Sequence, residues 1–416
     1  MTVVREVPRT LDALLVALCA EARILPAITP LNAKSERERL IASLLRGEMP
    51  IPAWQYANRP VSRRAYDFLK EARELTAEVE LSELYQSRLD ELELDLAILH
   101  AIPEGRHVRA LSARRFGTGA ETLPTESGIV ETRAVARHIL DTVADEPDTS
   151  FVAADGDGDR VTASSLVRAV AHAANLPVEV RVEPRLAAAA ATGDRSIFLA
   201  DRAFGAREAV RVAVHEVLAH LTAAANGRTQ PLRIVELGTA NSFADQEGVA
   251  LYFEWKSGYF DGHRMRVLAA RVIACDRLHA GASFGDVARE LVREESFSAA
   301  DAVAIAERAF RGGGVARDAG YLRGLVRVRH AVESNQATLD ELRMGRVGLA
   351  DLPCLREAQR KGVVRTPSFT PGLQVLSSCY LPAPSFVLNF SLTPAGTSFD
   401  TSPPNLAASL TRFELT

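Results

Sequence analysis

The stretch VAVHEVLAHL at 212–221 sets two histidines and a glutamate inside an apolar run. Polar groups persist on such a helix face when they are paired or ligate something. The familiar zinc-binding helix reads H-E-x-x-H, with its histidines four apart. Here His215 and His220 are five apart. An α-helix turns about 100° per residue, so histidines four apart diverge by roughly 40° and histidines five apart by roughly 140°. Sharing one metal ion therefore requires the extra residue to be absorbed locally. A π-type bulge inserts one residue into a turn and restores a common face. The spacing predicts such a distortion between His215 and His220.

Zinc takes a third protein ligand, and a catalytic zinc keeps a fourth position open. The next candidate lies in SFADQEGVALYFE, 242–254. Ser242 followed by Asp245 reads as a capping-box start of a new helix. Glu247 then falls early in that helix, and Gly248 permits another backbone to approach closely. Glu254 lies seven residues beyond Glu247, on the same face, where it can orient a histidine from behind.

The surroundings are those of a helix-rich globular chain. Among 416 residues, 47% are hydrophobic and 6% aromatic, and the net charge is −4. That balance gives no electrostatic footprint for nucleic acid. No apolar run reaches the ~18 residues that span a bilayer. Cys19, Cys275, Cys354 and Cys379 are scattered without a C-x-x-C pair, which suits reduced thiols and a cytoplasmic location. Arg5 and Arg9 before LDALLVALCA resemble a signal peptide, but Asp12 interrupts the apolar segment. Leu11, Leu14, Leu15, Leu18 and Ala22 instead follow helical spacing.

Residues 10–102 read as helices, the clearest being 81–100, with Leu81, Leu84, Tyr85, Leu89, Leu92 and Leu96 on one stripe. Residues 103–130 read as a connection, 131–145 and 162–175 as helices, and 178–182 and 196–200 as short strands. The helix carrying the histidines runs from about 206 to 225, with Asn226-Gly227 as a left-handed stop. A mostly helical stretch covers 242–345. The expected division is an N-terminal helical region at 1–125, a catalytic domain at 126–365 and a Pro/Ser/Thr-rich segment at 366–416. DGDGD at 155–159 lacks the sixth-position Gly and twelfth-position Glu of a calcium loop, since Arg160 and Leu166 stand there. RGGG at 311–314 fits no phosphate loop.

Taken in order, HEVLAH (215–220), NG (226–227), QP (230–231), QEGVA (246–250), RAFRGG (308–313), DAGYLRG (318–324) and LRMGRVGLADL (342–352) resemble the QEGLA-motif family of zinc metallopeptidases. That family includes the microtubule-associated tyrosine carboxypeptidases. The resemblance covers roughly 10–375 and is strongest over 206–353. It implies that His215, His220 and Glu247 bind zinc and that Glu216 is the catalytic base. It implies a carboxypeptidase that takes a peptide or protein C-terminus, a tyrosine or other aromatic residue among the candidates. This chain departs from the family in carrying Leu218-Ala219 where Gly-Thr is usual, and Val249 where Leu is usual.

A carboxypeptidase must hold the substrate's terminal carboxylate, a task suited to the fork of arginine. Arg311, beside the glycines, is the candidate, and Tyr321 is the candidate for hydrogen-bonding an oxyanion. The expected fold is α+β with helices dominant: a zincin-like core, a small sheet beside the metal helix, and N-terminal helices packed against it. Two alternatives remain open from sequence. One is a dipeptidyl-peptidase-III-like aminopeptidase, which also uses H-E-x-x-x-H. The other is an inactive metal-stabilised scaffold, which would have no need of Glu216.

Overall fold

Leucine stripes at helical spacing organise the first hundred residues. In the helix Arg9–Glu21, Leu11, Leu14, Leu15 and Leu18 are buried, as the spacing requires. In Ser82–Ala101 the stripe Leu84, Tyr85, Leu89, Leu92 and Leu96 is buried, while Leu81 stands just ahead of the first turn. Glu91 and Asp95 lie on the same buried side, both paired with Arg115. Leu11, Leu15, Leu89 and Leu92 belong to the same continuous apolar cluster as Val214, Leu251 and Leu355. The N-terminal helices thus share one core with the histidine-bearing part.

This computed structural model describes residues 9–381 except 78, 103, 104, 106, 126, 127, 157–159, 185 and 187. The DGDGD turn in part, and the Pro/Ser/Thr-rich segment beyond 381, lie outside the described residues. Helices dominate and strands are short, so the chain is α+β in the expected proportion. None of the described helices is long and apolar enough to cross a membrane. All four cysteines are free thiols.

The sheet near the histidines has three strands. Glu179–Glu183 runs parallel to the central Ser196–Ala200, and Ala190–Thr192 runs antiparallel along its other side. Glu179–Glu183 and Ser196–Ala200 match the strands expected at 178–182 and 196–200, the first of them from its alternation. The third was not legible, because Ala-rich text carries no period-two signal and little strand propensity. Between 103 and 130 the structure has a helix, Val108–Phe116, and a hairpin pairing Thr122–Thr125 with Gly128–Glu131, where a plain connection was expected.

Two local expectations are corrected. Gly227 is the last helical residue and not a left-handed stop. It is glycine because a Cβ there would stand 2.9 Å from the Glu236 backbone. Nor does Ser242 pair reciprocally with Asp245: Asn241, at φ 56°, precedes the helix, and Asp245 accepts from the Leu349 amide at 2.8 Å. Tertiary demand outweighs the local cap.

Candidate metal centre

One continuous helical rod carries both histidines: Ala206–Val214 is α-helical, His215–Leu221 is π-helical, and Thr222–Gly227 is α-helical again. The expected distortion occupies the segment between the histidines. Asp148 caps the start of the rod, accepting from the Glu208 amide at 3.1 Å. Val214, Val217, Leu218 and Leu221 anchor it in the core. The widened turn presents carbonyls to new donors. The Thr222 hydroxyl donates to Val217 O at 2.9 Å, and the buried Arg343 guanidinium donates to Leu218 O at 2.7 Å.

Opposite this rod lies Ser242–Lys256, which carries Glu247 and Glu254. His215 Nε2 and His220 Nε2 are 3.1 Å apart. The Glu247 carboxylate stands 3.5 Å from the first and 3.8 Å from the second. One donor atom from each residue falls within 4.8 Å of the others, a set able to hold a metal ion. Two neutral imidazoles and a carboxylate are the donor chemistry of a catalytic zinc.

Electrostatics agree with a cation at this point. Burial would lower the His215 pKa, yet hydrogen bonds to Glu247 and Glu254 raise it to about 10. Burial would raise Glu247, yet the two histidines hold its carboxyl well below the usual range. The pocket therefore prefers positive charge between these groups. Behind His215, Glu254 Oε1 meets Nδ1 at 2.7 Å. Arg264 grips the same carboxylate with two bonds of 2.8 and 2.9 Å. Burial acts to raise the Glu254 carboxyl, but Arg264 and His215 bring it down to about 2. With a metal bound in place of the Nε2 proton, a fixed carboxylate would hold the remaining proton of His215 on Nδ1 and leave Nε2 to ligate.

Glu216 is not part of the converging donor set. Its carboxylate, mostly buried, accepts from the Thr192 hydroxyl at 2.6 Å. Thr192 belongs to the edge strand, and the sequence offered no signal for it. Tyr321 comes from the helix Ala319–Glu333, and its hydroxyl donates to Glu247 Oε1 at 3.1 Å. Two glycines make that contact possible. A Cβ on Gly248 would lie 2.3 Å from Gly324 O, and one on Gly324 would lie 1.8 Å from Ala244 O. The helices cross backbone to backbone, bringing Tyr321 within reach of the residue beside Gly248.

A cavity of about 110 Å³ opens beside His215, lined also by Glu216, Ala190, Arg271, Arg308 and Tyr321 among others. Arg311 is not among its lining residues. That side chain is buried nearby, its Nε without a partner, and burial beside Arg308 lowers its pKa to about 10. A larger cavity of about 730 Å³, lined by Phe243, Arg323, Arg327 and Arg356, holds none of the metal-ligating groups. The smaller one is lined by one of the three donors, His215, and by Glu216.

Comparison with known families gives a match to the model described as microtubule-associated tyrosine carboxypeptidase, over residues 48–388. That span includes every residue of the centre described above. Among curated proteins no match is found.

Proposed function

We propose, from the premise that this chain belongs to the microtubule-associated tyrosine carboxypeptidase family, that it is a zinc-dependent carboxypeptidase. Its substrate is a peptide or protein with a free C-terminus, a tyrosine or other aromatic residue being the first to try. Family membership carries the carboxypeptidase-type activity. The zinc assignment is supported by the convergence of His215, His220 and Glu247 within 4.8 Å.

When bound, zinc supplies a Lewis acid for the water and the scissile carbonyl. The remaining work falls to the chain. Glu216, beside the ligands but not among them, is placed to take a proton from the attacking water and return it to the leaving amine. Thr192 holds the Glu216 carboxylate in position. Tyr321 reaches the Glu247 carboxylate and can donate toward an oxyanion formed beside it. Glu254 and Arg264 fix the orientation of His215. We read the edge strand Ala190–Thr192, alongside the histidine rod, as a zincin-like arrangement. Four free thiols suit a reducing compartment and support a cytoplasmic location.

The observation that carries the catalytic reading is Glu216, a buried carboxylate set at the cavity and outside the donor set. Zinc-loaded protein and Glu216→Gln should be incubated with peptides varied at the last residue, and the products weighed. Loss of one C-terminal residue, absent in the variant, is expected. Loss of N-terminal dipeptides would instead support an aminopeptidase, and metal binding without cleavage would support a scaffold.

A further inference from the structure

We propose that Arg271, which was not suspected from the sequence, is the group that receives the terminal carboxylate of the substrate. The inference rests on the carboxypeptidase reading above and assigns a binding residue to it.

Arg271 and Arg264 lie seven residues apart on the helix Gly262–His279, two turns along one face. Both line the metal cavity. Charge bookkeeping around that cavity separates them. Arg264 is matched by Glu254 through two hydrogen bonds. Arg211 is matched by Asp261 at 2.6 Å. Arg308 takes Asp318, through Nε and through a second bond of 3.2 Å. Arg271 is left to share that same Asp318, its buried Nε standing 3.5 Å from the carboxylate without forming a hydrogen bond. Among the described residues its guanidinium makes no hydrogen bond. A buried cation with idle donors, facing a cavity, is built for an anion from outside. Burial and the neighbouring Arg308 also lower its pKa to about 9, a sign that the site lacks negative charge.

Position fits the role. The guanidinium lies over the Tyr321 ring, 5.8 Å from its centroid, and the hydroxyl of that ring touches Glu247. A carboxylate on Arg271 is thus one aromatic ring away from a metal-ligating candidate, Glu247. A cavity of about 110 Å³ is smaller than the roughly 300–1,000 Å³ that engulfs a ligand, so a chain end enters more readily than a continuing chain. Arginine presents two parallel donors to the two oxygens of a carboxylate, whereas a carboxamide offers only one accepting oxygen and turns an N–H toward the second donor.

The test uses zinc-loaded full-length protein carrying Glu216→Gln, which freezes turnover, and two probes: acetyl-Ala-Ala-Ala-Tyr as the free acid and as its carboxamide. Calorimetry should show the acid bound at least ~30-fold more tightly than the amide, as for a desolvated bidentate pair. Adding Arg271→Met should bring that ratio near one while leaving amide affinity unchanged. Arg271→Lys, with the charge but not the fork, should fall between. Since Arg271 makes no hydrogen bond that folding would miss, Arg271→Met should melt no lower than its parent. An unchanged acid preference in Arg271→Met overturns the inference. So does loss of the preference in Arg311→Met alone, or absence of any preference in the parent. Turnover by the wild type is read separately: if it releases C-terminal tyrosine while Arg271→Met keeps the preference, the function stands and Arg271 does not serve it.

Discussion

Replacing Arg343 with methionine tests whether the π-helical turn is held from outside. Arg343 is 2% exposed and donates to Leu218 O and Pro371 O at 2.7 Å each, and to Leu339 O at 3.3 Å. Its carboxylate partner, Asp340, is 48% exposed and returns to water at little cost. Hydrogen bonds from a charged donor contribute about 1.5–3 kcal/mol each, so the two short ones represent roughly 3–6 kcal/mol. Removing a buried guanidinium recovers part of its desolvation cost, which leaves a net loss of about 3 kcal/mol. The loss is concentrated at the carbonyl between the histidines, so metal affinity should fall about tenfold as well, equivalent to about 1.4 kcal/mol. Urea unfolding of metal-free protein reads the first quantity, and zinc competition with a chelating dye reads the second. Thr222→Val, which removes one neutral bond to Val217 O, should cost only about 1 kcal/mol. If Arg343→Met stays within 1 kcal/mol and binds zinc as the wild type does, the π turn is intrinsic to its own sequence and the reasoning fails.

Glu216→Gln should lower turnover by at least ~10³-fold with zinc stoichiometry intact, and Thr192→Val should lower kcat by roughly tenfold through a loosened Glu216; steady-state kinetics with metal analysis checks both. Glu254→Gln leaves Arg264 and His215 without their shared carboxylate, and should weaken zinc binding by about 10–100-fold in a competition assay. The same residue sets a pH dependence in the metal-free protein. Its folded pKa of about 2 lies below the ordinary 4.5, so its stabilisation is present above about 4.5 and is lost as pH falls toward 2. That difference corresponds to roughly 3 kcal/mol, which should appear as a steeper acid loss of unfolding free energy in wild type than in Glu254→Gln. Gly324→Ala would put a Cβ 1.8 Å from Ala244 O, so the helices must part and Tyr321 must leave Glu247; a destabilisation of at least about 1–3 kcal/mol and weaker zinc binding are expected, read by the same two assays.

What could be read from the sequence follows physical range. Leucine spacing in 9–21 and 82–101 encodes helices locally, because periodicity alone decides which face is buried. The five-residue histidine spacing carried its own geometric contradiction, and a π turn is the local way to resolve it. Seven-residue spacing placed Glu254 on the face of Glu247, within reach of His215. By contrast, Thr192 and Arg271 act across the fold. Thr192 sits in a strand without strand text, and Arg271 is one of many arginines on an arginine-rich helix surface. Only the hydrogen-bonded pairing of the other arginines lining the cavity, Arg211, Arg264 and Arg308, with carboxylates sets Arg271 apart, and pairing is a tertiary fact.

The three residues Gln246, Glu247 and Gly248 show why a run of motif letters does not translate into a run of catalytic groups. The Gln246 amide donates to Leu342 O at 2.8 Å and Val347 O at 2.9 Å, tying down the loop that carries Arg343. Asn226 and Gln230 do the same from the end of the histidine rod. Asn226 donates to Arg343 O and Phe369 O and accepts from the Ser368 and Phe369 amides. Gln230 donates to Met344 O and Arg365 O. A buried side-chain amide whose donors and acceptor are all satisfied is costly to replace, because each substitution strands several backbone groups at once. Gly248 serves the helix crossing, and Glu247 alone among the three faces the metal position. The scaffold residues nonetheless converge on one place, the 342–347 loop, and through Arg343 that loop reaches the Leu218 carbonyl between the two histidines. Motif residues distant in sequence are thereby coupled to the same widened turn, and it is this turn that lets histidines five apart face a common point.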